Sequence, residues 1–310
     1  MPAPLSVQVA CRSVPCFDPV QAAPLSAWLL YPTTDAAQPV RFGPYALDLA
    51  MNGAPAGEGR LPLIVVSHGS GGSPWSYRGL AGHLVREGFA VLLIEHTGNN
   101  SRDNSLGSPT GRLKVEALQH RPRHVRLAVD AALGDALAGA RLERDRYAMV
   151  GHSAGGYTAL AVAGGHAMTV PDEVEDARLL SPDAELAKLA FPVPTEGDRR
   201  LVAAVLLAPA IGFFLADGAL RDVEIPLLVR TASRDAICSA AKVAEALRSV
   251  PDPARVSSLD VEGAGHFAFQ SPFPPELAHI PPAQDPPGFD RGRYQETLYA
   301  DVTAFLRANP

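Results

Sequence analysis

The chain has 310 residues, 47% of them apolar and 19% charged, with a formal net charge of -6. That composition supports a full hydrophobic core, and the acidic balance, with basic residues scattered, argues against a nucleic-acid partner. Three cysteines (Cys11, Cys16 and Cys238) do not make a disulfide framework, although Cys11 and Cys16 are a candidate pair in an oxidising compartment.

The N-terminus, "MPAPLSVQVACRSVPC", lacks a charged segment followed by an apolar core, so no secretory leader is expected and a cytoplasmic location is the default. Within the first sixty residues, "SVQVACRSV" and "SAWLLYP" predict antiparallel edge strands. "LPLIVVSH" is the first strand expected to be buried on both faces. It leads to "SPWSYRGLAGHLVREG", a helix with Ser73 as N-cap, Pro74 in the first turn, and Tyr77, Leu80, Ala81, Leu84 and Val85 on one face. After the strand "FAVLLIEH" comes the only basic cluster, "RPRHVR" (Arg121 to Arg126), read as a solvated helix start. The helix predicted after Pro122 repeats Val125, Val129, Leu133 and Leu137.

The strands "YAMVGH", "LVAAVLLA", "IPLLVRTA" and "RVSSLDVEG" follow, with helical patterns at "SAAKVAEALRSV" and around Tyr294, Leu298, Val302 and Phe305. The nearest approach to a membrane span, Leu201 to Ala216, is too short and is interrupted by Pro209 and Gly212, so it reads as a buried strand running into a turn. Strands alternating with helices predict a single α/β domain over residues 1–310, its mostly parallel central sheet covered by helices on both faces. Two segments break the alternation: an acidic insert at 166–200, containing the helical pattern "SPDAELAKLAF", and a Pro-rich loop at 267–292. Both are candidate cap elements.

The chemistry centres on "YAMVGHSAGG". A nucleophilic hydroxyl becomes accessible when it projects from a sharp strand-to-helix turn, where side chains two positions away on either side would collide. Gly151-His152-Ser153-Ala154-Gly155 has that pattern between an apolar strand and a small-residue helix. Such a serine needs a base and an acid that orients it, which in this architecture follow it in the order acid, then histidine. Asp235 lies just past the strand "IPLLVRTA", and His266 lies in the turn "GAGH" after the last strand. Both sit at C-terminal strand ends, where open α/β sheets gather their sites. The rivals Asp217 and Asp222 come one connection too early, Asp260 sits within a strand, His166 directly follows the serine's helix, and His279 is deep in the Pro-rich loop. The backbone amides of Ala154 and of Ser70, in "SHGSGG", are the expected oxyanion donors. A phosphate-binding reading of "SHGSGG" fails for want of a third glycine, a partnering acid and a Walker lysine.

With "SHGSGG", "GHSAGG", "SRDAI" and "GAGHF" in this order, the chain resembles the α/β-hydrolase superfamily from about Leu61 to Pro310. Through "VVSHGSGG", "IEHTGNN" and the Phe/Pro-rich tail after "GAGHF", it is most similar to bacterial dienelactone-hydrolase-related proteins that also resemble platelet-activating-factor acetylhydrolases. The resemblance implies Ser153 as nucleophile, His266 as general base and Asp235 as its orienter, with the Ser70 and Ala154 amides forming the oxyanion hole. Two departures stand out. True dienelactone hydrolases carry a cysteine nucleophile, and the lipid acetylhydrolases can take their acid from the preceding strand, which here ("AVLLAPAIG") offers no carboxylate.

The expected activity is cleavage of a small to medium, mostly apolar carboxylic ester through an acyl-enzyme, without metal or organic cofactor. Trp75, His96, His152, Phe213, Phe214 and Phe267 are the candidate pocket residues. The expected partner is a small-molecule ester or thioester, with no nucleic acid and no membrane span. An acyltransferase or thioesterase using the same triad is the second reading, and a non-catalytic ligand-binding member of the fold the third.

Overall fold

The computed structural model describes residues 7–107, 113–172 and 189–309. Four strands come first: β1 (Gln8–Asp18), β2 (Ala23–Thr33), β3 (Gln38–Phe42) and β4 (Tyr45–Met51). The alternation then begins with β5 (Leu63–Ser67), α1 (Arg78–Arg86), β6 (Ala90–Glu95), α2 (Val115–Leu133), β7 (Tyr147–His152) and α3 (Ala154–Val162). A two-stranded ribbon of β8 (Met168–Thr169) and β9 (Phe191–Pro192) interrupts it before β10 (Leu201–Leu207), β11 (Leu227–Ala232), α4 (Ala240–Ala246), β12 (Val256–Val261) and α5 (Arg291–Ala308).

The main sheet runs β12-β11-β10-β7-β5-β6-β2-β1-β4-β3. From β12 to β6 all neighbours are parallel; β2 then pairs antiparallel with β6 and with β1. The N-terminal strands thus extend the sheet as expected, except that β1 and β4 make a short parallel contact. Successive residues of β5 serve opposite cores. Leu63 and Val65 face the side covered by α2, α3 and α4, while Ile64 and Val66 face α1 and α5. That arrangement explains why the central strands read as unbroken apolar runs. Strand β12 is mostly exposed at the sheet edge, which suits its serines.

The chain passes from β5 to β6 on one side and then returns to place β7 on the other. The order therefore reverses at β5, and a crevice opens beyond the C-terminal ends of β5 and β7.

Three expectations are corrected. Helix α2 begins at Val115, so Pro122 lies inside it rather than before it. Pro122 has no N–H to give the Leu118 carbonyl one turn back; the Tyr157 hydroxyl donates to that carbonyl instead, at 3.0 Å. The "RPRHVR" cluster is not a solvated face, because Arg121 and His124 are buried. Cys11 and Cys16 are free thiols on one strand. Five residues of extended chain span roughly 16 Å, well beyond the ~7 Å limit for a disulfide. The segment Leu201 to Ala216 is β10 followed by a short 3-10 turn, and no helix among the described residues is long and apolar enough to cross a membrane. Most of "SPDAELAKLAF" lies outside the described residues.

Candidate active site

Strand β7 ends at His152 and α3 begins at Ala154, so Ser153 alone makes the turn, with φ 54 and ψ -117. A positive φ is strained for any residue with a Cβ. The turn is held by Ser153 N–H donating to Leu207 O at 3.0 Å and by Ser153 O accepting from Gly156 and Ala210 amides, both at 2.9 Å. The flanking glycines are needed for space: a Cβ on Gly155 would overlap the Ser67 carbonyl, and one on Gly151 the Gly155 carbonyl. Ser153→Gly relieves the strain and should raise stability by about 1 kcal/mol, a gain of roughly 2 °C in Tm. Thermal unfolding checks this, and a lower Tm would mean that Ser153 makes contacts worth more than the strain.

Asp235 follows β11 in a turn that uses both its oxygens. Oδ1 accepts from the amides of Ile237 and Cys238 at 2.7 and 2.8 Å, and Oδ2 meets His266 Nδ1 at 2.7 Å. The two side chains are 0% and 5% exposed. With Nδ1 facing the carboxylate, Nε2 of His266 is the nitrogen left for other partners. His152 fixes the backbone of His266: its Nε2–H donates to His266 O at 2.8 Å, and its Nδ1 accepts from the Tyr77 hydroxyl at 2.8 Å.

The Ser153 hydroxyl lies against the Cys238 thiol, which burial pushes up to about 12. Asp235, Cys238 and His266 offer ligand atoms within 4.8 Å of one another. The Asp235–His266 hydrogen bond and the protonated thiol already occupy those atoms. Of the rivals, Asp222 pairs with His166 at 2.5 Å on the open surface, Asp260 on β12 accepts from Thr231 on β11, and His279 is exposed.

A cavity of about 1490 Å³ collects Ser153, Asp235, His266 and Ser70 in its wall, with Trp75, His152, Phe213 and Phe267 among the expected lining residues. His96 and Phe214 are not in that wall. His96 is buried beneath it against Ser67, and Phe214 stacks on Tyr157 in the core. The sequence reading missed Trp28 and Phe42, which β2 and β3 bring to the cavity beside Trp75. Phe42 stacks on Trp75 with ring centroids 3.7 Å apart. Period-2 alternation identifies Trp28 as an inward or outward position, but no local signal says which sheet face opens to a pocket.

Residues 62–197 match the family model of the alpha/beta hydrolase fold. Solved structures cover nearly the whole chain. A dienelactone hydrolase from Anabaena variabilis shares 17% identity at a TM-score of 0.55, covering 98% of this chain and 99% of that one. The chain has the α/β-hydrolase fold. A ferulic acid esterase from Streptomyces cinnamoneus aligns at 0.63 with 19% identity, covering 100% of this chain and 92% of its own. A dienelactone hydrolase-like promiscuous phosphotriesterase from metagenomic libraries aligns at 0.53 with 16% identity, over 96% and 98%. No curated protein sequence matches significantly.

Within this hydrolase fold, the loop after β5 packs directly on Ser153: a Cβ on Gly69 would come 3.3 Å from Ser153 Cβ. His68 ties the loop down. Its Nε2 accepts from His96 N–H at 3.2 Å, so its Nδ1 carries the proton and donates to Gly69 O at 2.7 Å. Asn99 Nδ2 donates to Ser70 Oγ at 3.0 Å. As the first residue of α3, Ala154 has no acceptor one turn back for its amide, and the Ser70 amide has no protein acceptor among the described residues.

Burial holds four histidines neutral around this framework: His68 and His152 are lowered to about 3, His124 to about 4, and His96 well below its usual value. A histidine with a lowered folded pKa takes up its proton on unfolding. The stability this contributes is complete above pH 6.5 and is lost as pH falls from there toward 3–4, by about 1.4 kcal/mol per pH unit for each. The urea midpoint should therefore drop steeply between pH 7 and pH 5. A flat midpoint across that interval would show that these rings are accessible to protons in the folded state.

Proposed function

We propose that the protein is a serine carboxylester hydrolase. The observation that carries this reading is the meeting, in one cavity wall, of a serine at a strained strand-to-helix turn and an enclosed Asp–His pair. In this reading, His266 Nε2 takes the Ser153 proton as the hydroxyl attacks the ester carbonyl. The negative charge that develops rests against the Ser70 and Ala154 amides, a contribution of about 3–4 kcal/mol per donor. His266 then protonates the leaving alcohol and activates water to release the acid, while Asp235 holds its tautomer. Rotation of the Ser153 hydroxyl from Cys238 toward His266 precedes attack.

The cavity favours a small to medium, mostly apolar ester, since Trp28, Phe42, Trp75, Ile211 and Phe213 are in its wall. The described parts of segments 166–200 and 267–292 act as a cap in this reading. Met168 and Val170 from the first, and Phe273 and Leu277 from the second, line the same cavity.

Intact mass after incubation with a fluorophosphonate tests the reading, with Ser153→Ala and His266→Ala alongside. The expected result is a single adduct on the parent, absent from Ser153→Ala and much slowed in His266→Ala. A folded parent that takes no adduct would overturn the proposal and bring the non-catalytic, ligand-binding reading forward.

A further inference from the structure

Arg121 is the most buried cation among the described residues, 1% exposed in the middle of α2. A guanidinium in such a place is expected to meet a carboxylate, because an isolated buried charge costs several kcal/mol. Here each of its hydrogen bonds within the described residues goes to a neutral group. Nε donates to Thr158 Oγ1 at 3.0 Å, Nη1 to Asn99 Oδ1 at 2.6 Å, and Nη2 to the His68 carbonyl and, at 3.4 Å, to Ser67 Oγ. Burial lowers Arg121 to about 9, which leaves it charged at neutral pH.

What these partners do next is informative. The Thr158 hydroxyl in turn donates to Ala154 O at 2.9 Å. Asn99 holds Ser70 Oγ, and the His68 carbonyl belongs to the peptide that leads into Gly69 and Ser70. Arg121 is therefore one hydrogen-bonded step from both segments whose amides the proposed mechanism uses to hold the oxyanion. They come from different parts of the chain, the loop after β5 and the first turn of α3.

Among the described residues, hydrogen bonds lead from Arg121 to a carboxylate through a relay. Asp18 and the Gln21 carbonyl oxygen accept from His124 Nε2–H. His124 Nδ1 then accepts from His96 Nδ1–H at 3.2 Å, and His96 Nε2 accepts from Ser67 O–H at 2.8 Å. That leaves the Ser67 oxygen turned toward Arg121. Every group in the relay is neutral except its two ends, so the positive charge stays on the side of the reacting serine.

We infer that Arg121 is a positioning residue for the oxyanion site: it clamps the Ser70 loop and the Ala154 turn in one register and keeps an unpaired positive charge behind them. The inference rests on the serine-hydrolase reading above. A charge held there in a low-dielectric interior favours the anionic tetrahedral state over the neutral ester, so its effect falls on kcat and not on KM.

The test compares the parent with Arg121→Lys, Arg121→Met and Thr158→Val, reading p-nitrophenyl acetate kinetics, phenylboronic acid inhibition and the circular-dichroism melt. Thr158→Val keeps the side-chain volume and cuts only the clamp to Ala154, so it remains informative if Arg121→Met does not fold. The expected result for Arg121→Met is a fall in kcat of about 100-fold, KM within threefold, and boronate affinity weakened by a factor similar to that in kcat. Arg121→Lys should recover part of both, and Thr158→Val should show a smaller loss of the same kind. Folded variants with parental kcat, or losses confined to KM with boronate binding unchanged, overturn the inference while leaving the hydrolase reading intact. A parent that neither hydrolyses the ester nor binds the boronate removes both together.

Discussion

Ser153→Ala should fold like the parent and lose ester hydrolysis by about 10⁶-fold, the loss typical when a nucleophile that acts as one unit with its base is removed. Alanine keeps the Cβ, so the turn at φ 54 remains as strained as before and the melting temperature should barely move. What disappears is the hydroxyl in the cavity wall at the sharp turn into α3, near the enclosed Asp235–His266 pair. Hydrolysis of p-nitrophenyl acetate, with intact-mass labelling by a fluorophosphonate, checks this. Retention of more than a tenth of parental activity, or of the adduct, would place the nucleophile elsewhere. Cys238, whose thiol already touches Ser153, would then be the first residue to replace.

The sharp turn at Ser153 was legible in the sequence because its constraint is local. A glycine two positions away on each side, a strand before it and a small-residue helix after it are all written within twenty residues. The two clashes that a Cβ would cause, at Gly151 and Gly155, are what that spelling encodes. The positions of the core strands along the chain were legible for a similar reason, since unbroken apolar runs need burial on both faces.

Arg121 was misread because the sequence shows only that it is basic and next to a proline. Its burial depends on Thr158, Asn99 and Ser67, which come from three separate elements and whose convergence leaves no local trace. Pro122 misled in the same way: a helix start was expected there because nothing nearby announces the Tyr157 hydroxyl that satisfies the freed Leu118 carbonyl. The aromatic wall of Trp28 and Phe42 was missed because it depends on how far the N-terminal strands carry the sheet beyond β6. His96 was placed in the pocket from its position at a strand end, but its ring turns inward to Ser67 and His124.

Asp235→Asn should lower kcat by about 10⁴-fold with little change in fold. The asparagine oxygen can still accept from the Ile237 and Cys238 amides, so the turn after β11 survives. Its amide nitrogen then occupies the place of Oδ2, 2.7 Å from His266 Nδ1. Two donors cannot share that contact, so the ring shifts its proton to Nε2, and a protonated Nε2 cannot accept the Ser153 proton. The prediction also separates the enclosed pair from its surface counterpart. His166 and Asp222 make a still shorter contact, 2.5 Å, but their side chains are 46% and 59% exposed and neither lines the cavity. Asp222→Asn should therefore leave kcat at the parental value, because water takes over the lost hydrogen bond. Steady-state kinetics of the two variants at neutral pH decide the matter. If Asp235→Asn stays within tenfold of the parent, the orienting acid is not Asp235. If Asp222→Asn falls with it, enclosure in the cavity wall is not what distinguishes the two pairs.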